Sequence, residues 1–561
     1  LLVLDNFEQI LAAAPLVSTL LAECRRLKVL VTSRATLHLY GEQEFPVSPL
    51  ALPDEKQLTS VKLNEFAAIE LFCQQARLAK PDFALTASNA DDVAKICIGL
   101  DGLPLAIELA AVRLKLFSLP VLLARLQQRL TLLTGGPHDL PTRQRTLRDE
   151  IAWSYDLLST TEQTLFRRLA VFVGGFTLEA AQAVGNADGK LAVDVLDGIA
   201  TLVDQNLLKP TEPASGEPRF GMLETIREYG LEQLAASSEV ETIQRHHADF
   251  FLWLAESREP ELLGRQRKQG LGQLESDLDN FRAALVWSQS DLNRAEIGLR
   301  LAGALAWFAH FSNHGKEAHG WLLTTLQHAA APTPARAKAL WGAGLIALIL
   351  GDYEYAQAEL EESITLWRYI GDQRGLAAAL RELCTILHFL DQPSLAQQCG
   401  EESVTLWRAV GSQWDLALAL DNLAFVAVTQ GDQESACTFF EEELALFEAL
   451  DDDWGQASAL NGLGCVAGQQ GDYATARVHF TKALALRRSE AEKFTLAETL
   501  NLLGEVIQRQ GELETASTLY CECLLVAHEN GSKAVMAHVL HQLGTIAQLQ
   551  QQPERAVRLF A

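Results

Sequence analysis

Leu460 to Ala483 reads LNGLGCVAGQQGDYATARVHFTKA, two amphipathic halves joined by Gly471-Asp472. The same punctuation returns along the C-terminal part of the chain. Gly351-Asp352, Gly431-Asp432, Gly471-Asp472 and Gly511-Glu512 are separated in the numbering by multiples of 40. Ala recurs at that period as Ala356, Ala396, Ala436, Ala476, Ala516 and Ala556, and Leu as Leu380, Leu420, Leu460, Leu500 and Leu540. Each period predicts two amphipathic helices, 377–390 and 393–410 in one copy. Gly-Asp ends the first helix, because Gly takes the left-handed cap conformation at little cost. Small Ala positions let helices approach and the Leu positions fill between them. One hairpin cannot bury its own apolar face, so the copies must stack into a superhelix. Residues from 335 onward are therefore expected to be an α-solenoid.

Leu463-Gly464, Gly471-Asp472-Tyr473, Ala476, Phe480 and Ala483 fall at the spacing of tetratricopeptide repeats. The array resembles that family in a lengthened form, the usual period being about 34. Two readings of its face stay open. Trp367 and Trp407 recur at spacing 40, as do Glu361-Glu362, Glu401-Glu402 and Glu441-Glu442. They form either an acidic, aromatic-lined groove for a basic partner, or a solvated charged face with the Trp residues in the core between repeats.

The rest of the 561 residues is long enough for several domains. Acids outnumber bases 72 to 46, a formal charge of −26. That balance argues against non-specific wrapping of nucleic acid, which needs clustered Lys and Arg. Nine Cys are scattered without a C-x-x-C pair, which points to reduced thiols and a cytoplasmic setting. Cys521 and Cys523 fit no zinc or redox spacing. The longest apolar run, Ala339 to Leu350, is too short to span a bilayer at ~20 residues, so no membrane partner is expected.

At the other end, Leu1-Leu2-Val3-Leu4-Asp5-Asn6-Phe7-Glu8 runs four apolar residues into an acid. An unbroken apolar run predicts a parallel strand covered on both faces. An Asp just beyond its carboxyl end stands where an open α/β sheet binds ligands. Ile10 to Cys24 predicts a helix and Lys28 to Thr32 a second buried strand, completing a parallel α/β unit. Thr32-Ser33-Arg34 closes that strand at the same edge as Asp5. Arg34 is either a phosphate-sensing guanidinium or an ordinary solvent-exposed strand-end Arg. Helices are predicted over 63–78, 91–100, 106–116 and 120–130, with a break at Asp101-Gly102-Leu103-Pro104-Leu105. Pro104 either offers a rigid apolar ring to a purine face or simply ends one helix and starts the next.

Between 146 and 234 the pattern is helices followed by two short strands. Ser159-Thr160-Thr161-Glu162 fits a capping box ahead of a helix over 165–172. Thr177 caps the next helix, and 191–203 is helical. Asn206 to Lys209 and Arg219 to Leu223 read as strands around a wing. A winged helix invites DNA docking in a groove, but no basic recognition helix stands out. His246-His247 point about 100° apart on a helix, so a surface or half-buried role is expected rather than metal binding.

LLVLDNFEQ at 1–9, VTSR at 31–34 and DGLPLAIELAA at 101–111 resemble, in order and spacing, the Walker B, sensor-1 and GLPL segments of NB-ARC-type STAND signal-transduction NTPases. MLETIREYG at 222–230 is similar to a segment of the winged-helix domain that follows in that family. The resemblance implies a mainly α protein with the C-terminal part of a P-loop α/β domain at 1–52. A helical domain at 53–135, a winged helix at 136–240 and a helical linker at 241–334 would follow, with repeats from 335 to 561. It implies that Asp5 acts on Mg2+ as the catalytic carboxylate, that Arg34 senses the terminal phosphate and that Pro104 packs on adenine, with Thr32, Ser33, Gly102 and Leu103 as further nucleotide-binding residues. ATP or ADP with Mg2+ would be held in the full-length protein.

Asn6 stands where many relatives carry a second acid, which favours at most slow ATP hydrolysis. Met222-Leu223-Glu224 replaces the usual Met-His-Asp, so no His contact to phosphate is carried over. G-x-x-x-x-G-K-[ST] is absent from these residues; both ends of the chain look cut, and that loop is expected upstream. The resemblance further implies a transcriptional regulator with a protein or small-molecule inducer on the repeats. It also implies a nucleotide-dependent oligomer and DNA contact only through an output domain, of LuxR or SARP type, outside this chain. The alternative is a nucleotide-independent interaction scaffold built on the repeats.

Overall fold

The computed structural model of the chain describes residues 1–5, 7–24, 26–33, 36–53, 63–86, 88–126, 147–211, 217–264, 266–312, 314–489, 493–529 and 532–560. The fold is mainly α and divides into two compact units. The first comprises Leu1–Phe251 with Ser276–Ala284, the second Leu252–Glu275 with Leu285–Ala561.

In the first unit, strands β1 (Leu2–Leu4) and β2 (Val29–Val31) pair in parallel, with Leu2 opposite Val29 and Leu4 opposite Val31. The expectation of a strand covered on both faces is not met. Leu4, Val29 and Val31 pack on Phe7, Ala14 and Val17, while Val3 and Leu30 are each 56% exposed. A helix covers one face of the pair; among the described residues Val3 and Leu30 keep the other open. The helix also starts later than its pattern suggested. Phe7–Ala13 is a 3-10 turn, and the α-helix Ala14–Glu23 begins where Pro15 takes a first-turn position.

Helices Ala67–Ala79, Ala90–Gly99, Pro104–Val112 and Leu119–Arg125 follow. The expected helix over 120–130 thus holds to Arg125, and 127–130 lie outside the described residues. The capping box is present: Glu162 N–H donates to Ser159 Oγ at 3.3 Å and Ser159 N–H to Glu162 Oε2 at 2.7 Å. It starts the helix Thr160–Leu169. Thr177 Oγ1 accepts from Ala180 N–H at 3.2 Å, as expected of a cap. Phe176–Thr177 is also a strand, β3, which sequence reading missed because two residues carry no period. With β4 (Lys209–Thr211) and β5 (Arg219–Gly221) it forms an antiparallel sheet in the order β3-β5-β4.

His247 corrects the surface expectation for the histidine pair. It is 2% exposed, and burial pushes it down to about 4 against the opposing hydrogen bond with Asn280 Oδ1 at 3.2 Å. Asn280 also accepts from Val173 N–H at 2.8 Å and donates to Gly175 O at 2.9 Å, pinning the Gly174-Gly175 turn.

The second unit carries the repeats as paired helices, such as Asp453–Gln469 with Tyr473–Ser489. Gly351, Gly431, Gly471 and Gly511 all take φ near +80°, as the cap reading requires. Asp391 takes the same left-handed conformation in the copy that lacks Gly. Each hairpin locks a small residue on its first helix against a large one on its second. A Cβ on Gly464 would lie 2.6 Å from the Phe480 ring, and one on Gly504 2.8 Å from Tyr520. One copy inverts the lock: a Cβ on Gly400 would lie 3.1 Å from Cys384 Sγ and 2.9 Å from Leu423. Trp367 and Trp407 are buried core residues. The acidic pairs serve a ladder between copies: Arg368 to Glu402, Arg408 to Glu442 and Arg488 to Glu522, each at 2.8 Å. The second of the two readings, a solvated charged face with the Trp residues in the core between repeats, holds.

Candidate functional site

The parallel register places Asp5 and Thr32 side by side at the carboxyl edge of β1 and β2. Thr32 N–H donates to Leu4 O at 2.9 Å and Phe7 N–H to Thr32 O at 3.0 Å, which fixes the turn around Asp5. Thr32 Oγ1 donates to Asp5 Oδ1. Ser33 follows directly on that edge; Asn6 and Arg34 lie outside the described residues. A carboxylate held by a hydroxyl at a strand end suits a metal-side role. It gives no phosphate cradle, and the sequence has no such loop. Among the described residues no group of three or more His, Cys, Asp or Glu is placed to hold a metal ion by itself.

The Gly102-Leu103-Pro104 turn is built by different forces. Asp101 and Gly102 both take left-handed φ, +56° and +65°. Gly102 is required because a Cβ there would collide with Leu50 O, while Leu50 N–H donates to Gly102 O at 3.0 Å. Leu103 is the extended residue before the helix, and Pro104 is its first residue. Asp101 Oδ2 accepts from Thr225 N–H at 3.4 Å, in the first turn of the helix Glu224–Ala236. Sequence reading singled out both segments and missed that they touch.

Downstream of β3 the helix Val195–Asp204 ends against the strand leading to the wing. It carries Asp197 and Asp204 and no Lys or Arg. Arg219 on β5 pairs with Asp277 at 2.6 Å, and Arg168 is buried against Gly185 O, Asp188 and Glu239. These two arginines are thus engaged internally.

A winged helix-turn-helix domain family matches residues 158–235, and a tetratricopeptide repeat family matches 415–489. The chain is a winged-helix, tetratricopeptide-repeat protein. A relative in Mycobacterium tuberculosis, described as "Putative HTH-type transcriptional regulator", is 36% identical over 393 residues. That match takes in 68% of this chain and 42% of the relative, so the winged-helix repeat protein spans less than half of it. An uncharacterized protein of the same species is 40% identical over 245 residues, 43% of this chain and 59% of that one. Among solved structures, a STAND protein with a tetratricopeptide repeat sensor from Pyrococcus horikoshii aligns over 99% of this chain and 79% of its own. Its identity is 14% and its TM-score 0.46, too low to carry a functional argument. No helix among the described residues is long and apolar enough to cross a membrane.

Proposed function

We propose that this winged-helix repeat protein is the core of a nucleotide-switched transcriptional regulator of STAND type, with the repeats as its sensor. The observation that carries the reading is the hydrogen bond between Asp101 and Thr225. It ties the turn proposed to pack on adenine to the first helical turn after the wing. A change at the nucleotide would thereby reach the winged helix directly, and the contact would serve a switch if it is kept in one state and lost in the other. The side-by-side placement of Asp5 and Thr32 supports a metal-side carboxylate for Mg2+ bound with ATP. The winged helix acts here as a clamp rather than a DNA reader, because its helix Val195–Asp204 offers acids where phosphate contacts need bases. The homology to proteins described as HTH-type regulators supports the regulatory reading.

Calorimetry with ADP and ATP tests it. These 561 residues carry a net charge of −26 and no phosphate loop, so they should bind either nucleotide weakly or not at all. A protein that also supplies such a loop ahead of Leu1 should bind both. There, Pro104→Ala should weaken ADP and ATP alike and Arg34→Ala should weaken ATP more. Tight binding by residues 1–561 alone, or equal losses from Arg34→Ala, would overturn the reading.

A further inference from the structure

The repeats supply their own template. Positions one period apart do the same packing work, so a residue that breaks the period brings something that stacking does not require. In the helix Gln433–Leu450 the buried stripe runs Ala436, Phe440, Glu443 and Phe447. Glu443 is 0% exposed. Other copies have Ser363, Ser403, Ala483 and Cys523 at its place. Three of these four donate to the first helix of their own hairpin. Ser363 Oγ donates to Ala337 O at 2.7 Å, Ser403 Oγ to Ala377 O at 2.9 Å and Cys523 Sγ to Ala497 O at 3.1 Å. A carboxylate at this place could only accept; a protonated Glu443 can donate.

Across the same hairpin Glu443 meets Asp421 on the helix Gln413–Gln430. Both oxygens of Glu443 and Oδ1 of Asp421 are buried, and no N–H or O–H group among the described residues donates to them. The two carboxyl groups are hydrogen-bonded to each other. Two carboxylates, as pure acceptors, cannot make that bond. At least one proton therefore sits between them. It supplies the missing donor and keeps a second like charge out of the core.

The neighbouring elements disfavour ionisation further. Burial leads in raising Asp421 to about 7, and Glu498 on the helix Lys493–Arg509 adds to it. The hydrogen bond with Glu443 and the charge of Arg487 oppose them. Arg487 is itself a break in the period, standing where other copies have Trp367, Trp407 and Phe447. Burial and then Asp421 hold Glu443 well above the usual carboxylate range. On the helix Gln373–Phe389, Arg381 is engaged by Glu382 at 2.6 Å and Asp415 at 3.1 Å. The helix Asp453–Gln469 brings the uncharged Asn461, whose Nδ2 donates to Thr499 at 2.9 Å. Glu402 and Arg408 on Pro393–Val410 belong to the exposed ladder. Burial pushes His388 and His479 below their ordinary 6.5 and Cys437 and Cys465 above their ordinary 9.0.

We propose that Asp421 and Glu443 form a proton-operated clasp in the hairpin Gln413–Leu450. Loaded with protons, the pair closes the hairpin; as it ionises, this hairpin loosens ahead of its neighbours. The sign follows from linkage. In an opened hairpin both acids meet water and return to ordinary values of about 4. The closed form holds the extra protons, so its stability is present at acid pH and is lost as pH rises through about 7. The clasp concerns the repeats alone and stands whether or not the chain is switched by nucleotide.

Hydrogen–deuterium exchange on the full chain tests it. Protection of peptides from 413–450 is divided by that of peptides from 373–410 and 453–489 in the same sample, which cancels the pH dependence of intrinsic exchange. The ratio should fall about tenfold or more between about pH 6 and about pH 8.5. Asp421→Asn combined with Glu443→Gln, or with Glu443→Ser as in two other copies, should hold it constant. Glu441→Gln, exposed on the same helix, should leave the fall intact. At about pH 6 the unaltered chain should also show an infrared carbonyl band of a protonated carboxyl that Asp421→Asn weakens. A ratio that does not fall in the unaltered chain, or that falls equally in a double variant, overturns the clasp. So does an infrared band that Asp421→Asn leaves unchanged, which decides the matter if neither double variant folds.

Discussion

The β1–β2 pair and the repeat array are both apolar text, and they end up buried to very different degrees. Val3 and Leu30 stay 56% exposed at the centre of their strands. Phe440, Phe480 and Tyr520 are 2% exposed or less. An apolar run says that a segment can be covered; it does not say by what. In the repeats the cover is itself encoded, across the turn within a hairpin and one period on in the next copy. In the sheet edge the cover of one face is the helix Ala14–Glu23, and nothing in the strand text specifies the other.

Deleting one side chain from each region breaks or sharpens that contrast most strongly. Phe480→Ala opens a cavity against Gly464, which has no side chain to fill it, and should cost about 3–5 kcal/mol in denaturant unfolding. Val3→Ala should change stability by less than about 0.5 kcal/mol, the usual range for exposed positions. A comparable loss from Val3→Ala would mean that the open face of β1 is covered in solution.

What the sequence made legible follows the same division. The repeat register, the Gly-Asp caps and the capping box at Ser159 could be read because each rests on local spacing, whereas spacing alone left Trp367 open between groove and core. At the candidate site, the edge shared by Asp5 and Thr32 was legible from strand–helix–strand order alone. The Asp101–Thr225 hydrogen bond was not, since it joins residues 124 apart with no periodic cue. Nor was the role of Asn280, whose contacts reach back 105 and 107 residues to Gly175 and Val173. Glu443 and Arg487 were detectable in principle as breaks in the period of 40, and only burial shows that the breaks matter.

One buried group in each unit, His247 in the first and Asp421 in the second, should answer pH in opposite senses. In the first, His247 has a folded value of about 4 against an ordinary 6.5. The unfolded chain takes up that proton first, so the stability His247 contributes is present above pH 6.5 and is lost as pH falls toward 4. That loss is roughly 2–3 kcal/mol. In the second, Asp421 is raised to about 7 by burial and Glu498, against the hydrogen bond with Glu443 and the charge of Arg487. Its contribution is present at pH 4 and lost as pH rises through 7. His310 in the same unit shares the sense of His247, so a substitution is needed to isolate the acid. Asp421→Asn should stabilise the second unit by roughly 1–3 kcal/mol at pH 8 and leave it unchanged at pH 4. Equal effects at both values would show that packing, not ionisation, governs the position.

The smallest effect belongs to the exposed ladder. Arg408 reaches Glu442 at 2.8 Å, and both side chains keep more than a third of their surface open. Ordering two long side chains costs rotamer freedom, and water screens the pair. Arg368–Glu402 and Arg488–Glu522 repeat the geometry at the period of the array, so each pair joins one copy to the next. The repetition invites the view that the ladder holds the superhelix together. The magnitudes favour the interlocks of Phe440, Phe480 and Tyr520 instead. Arg408→Gln should therefore cost no more than about 0.5 kcal/mol, and less as salt is raised. A loss near that of Phe480→Ala, or one that salt does not weaken, would reverse the ranking and make the charged rim the element that sets the stacking.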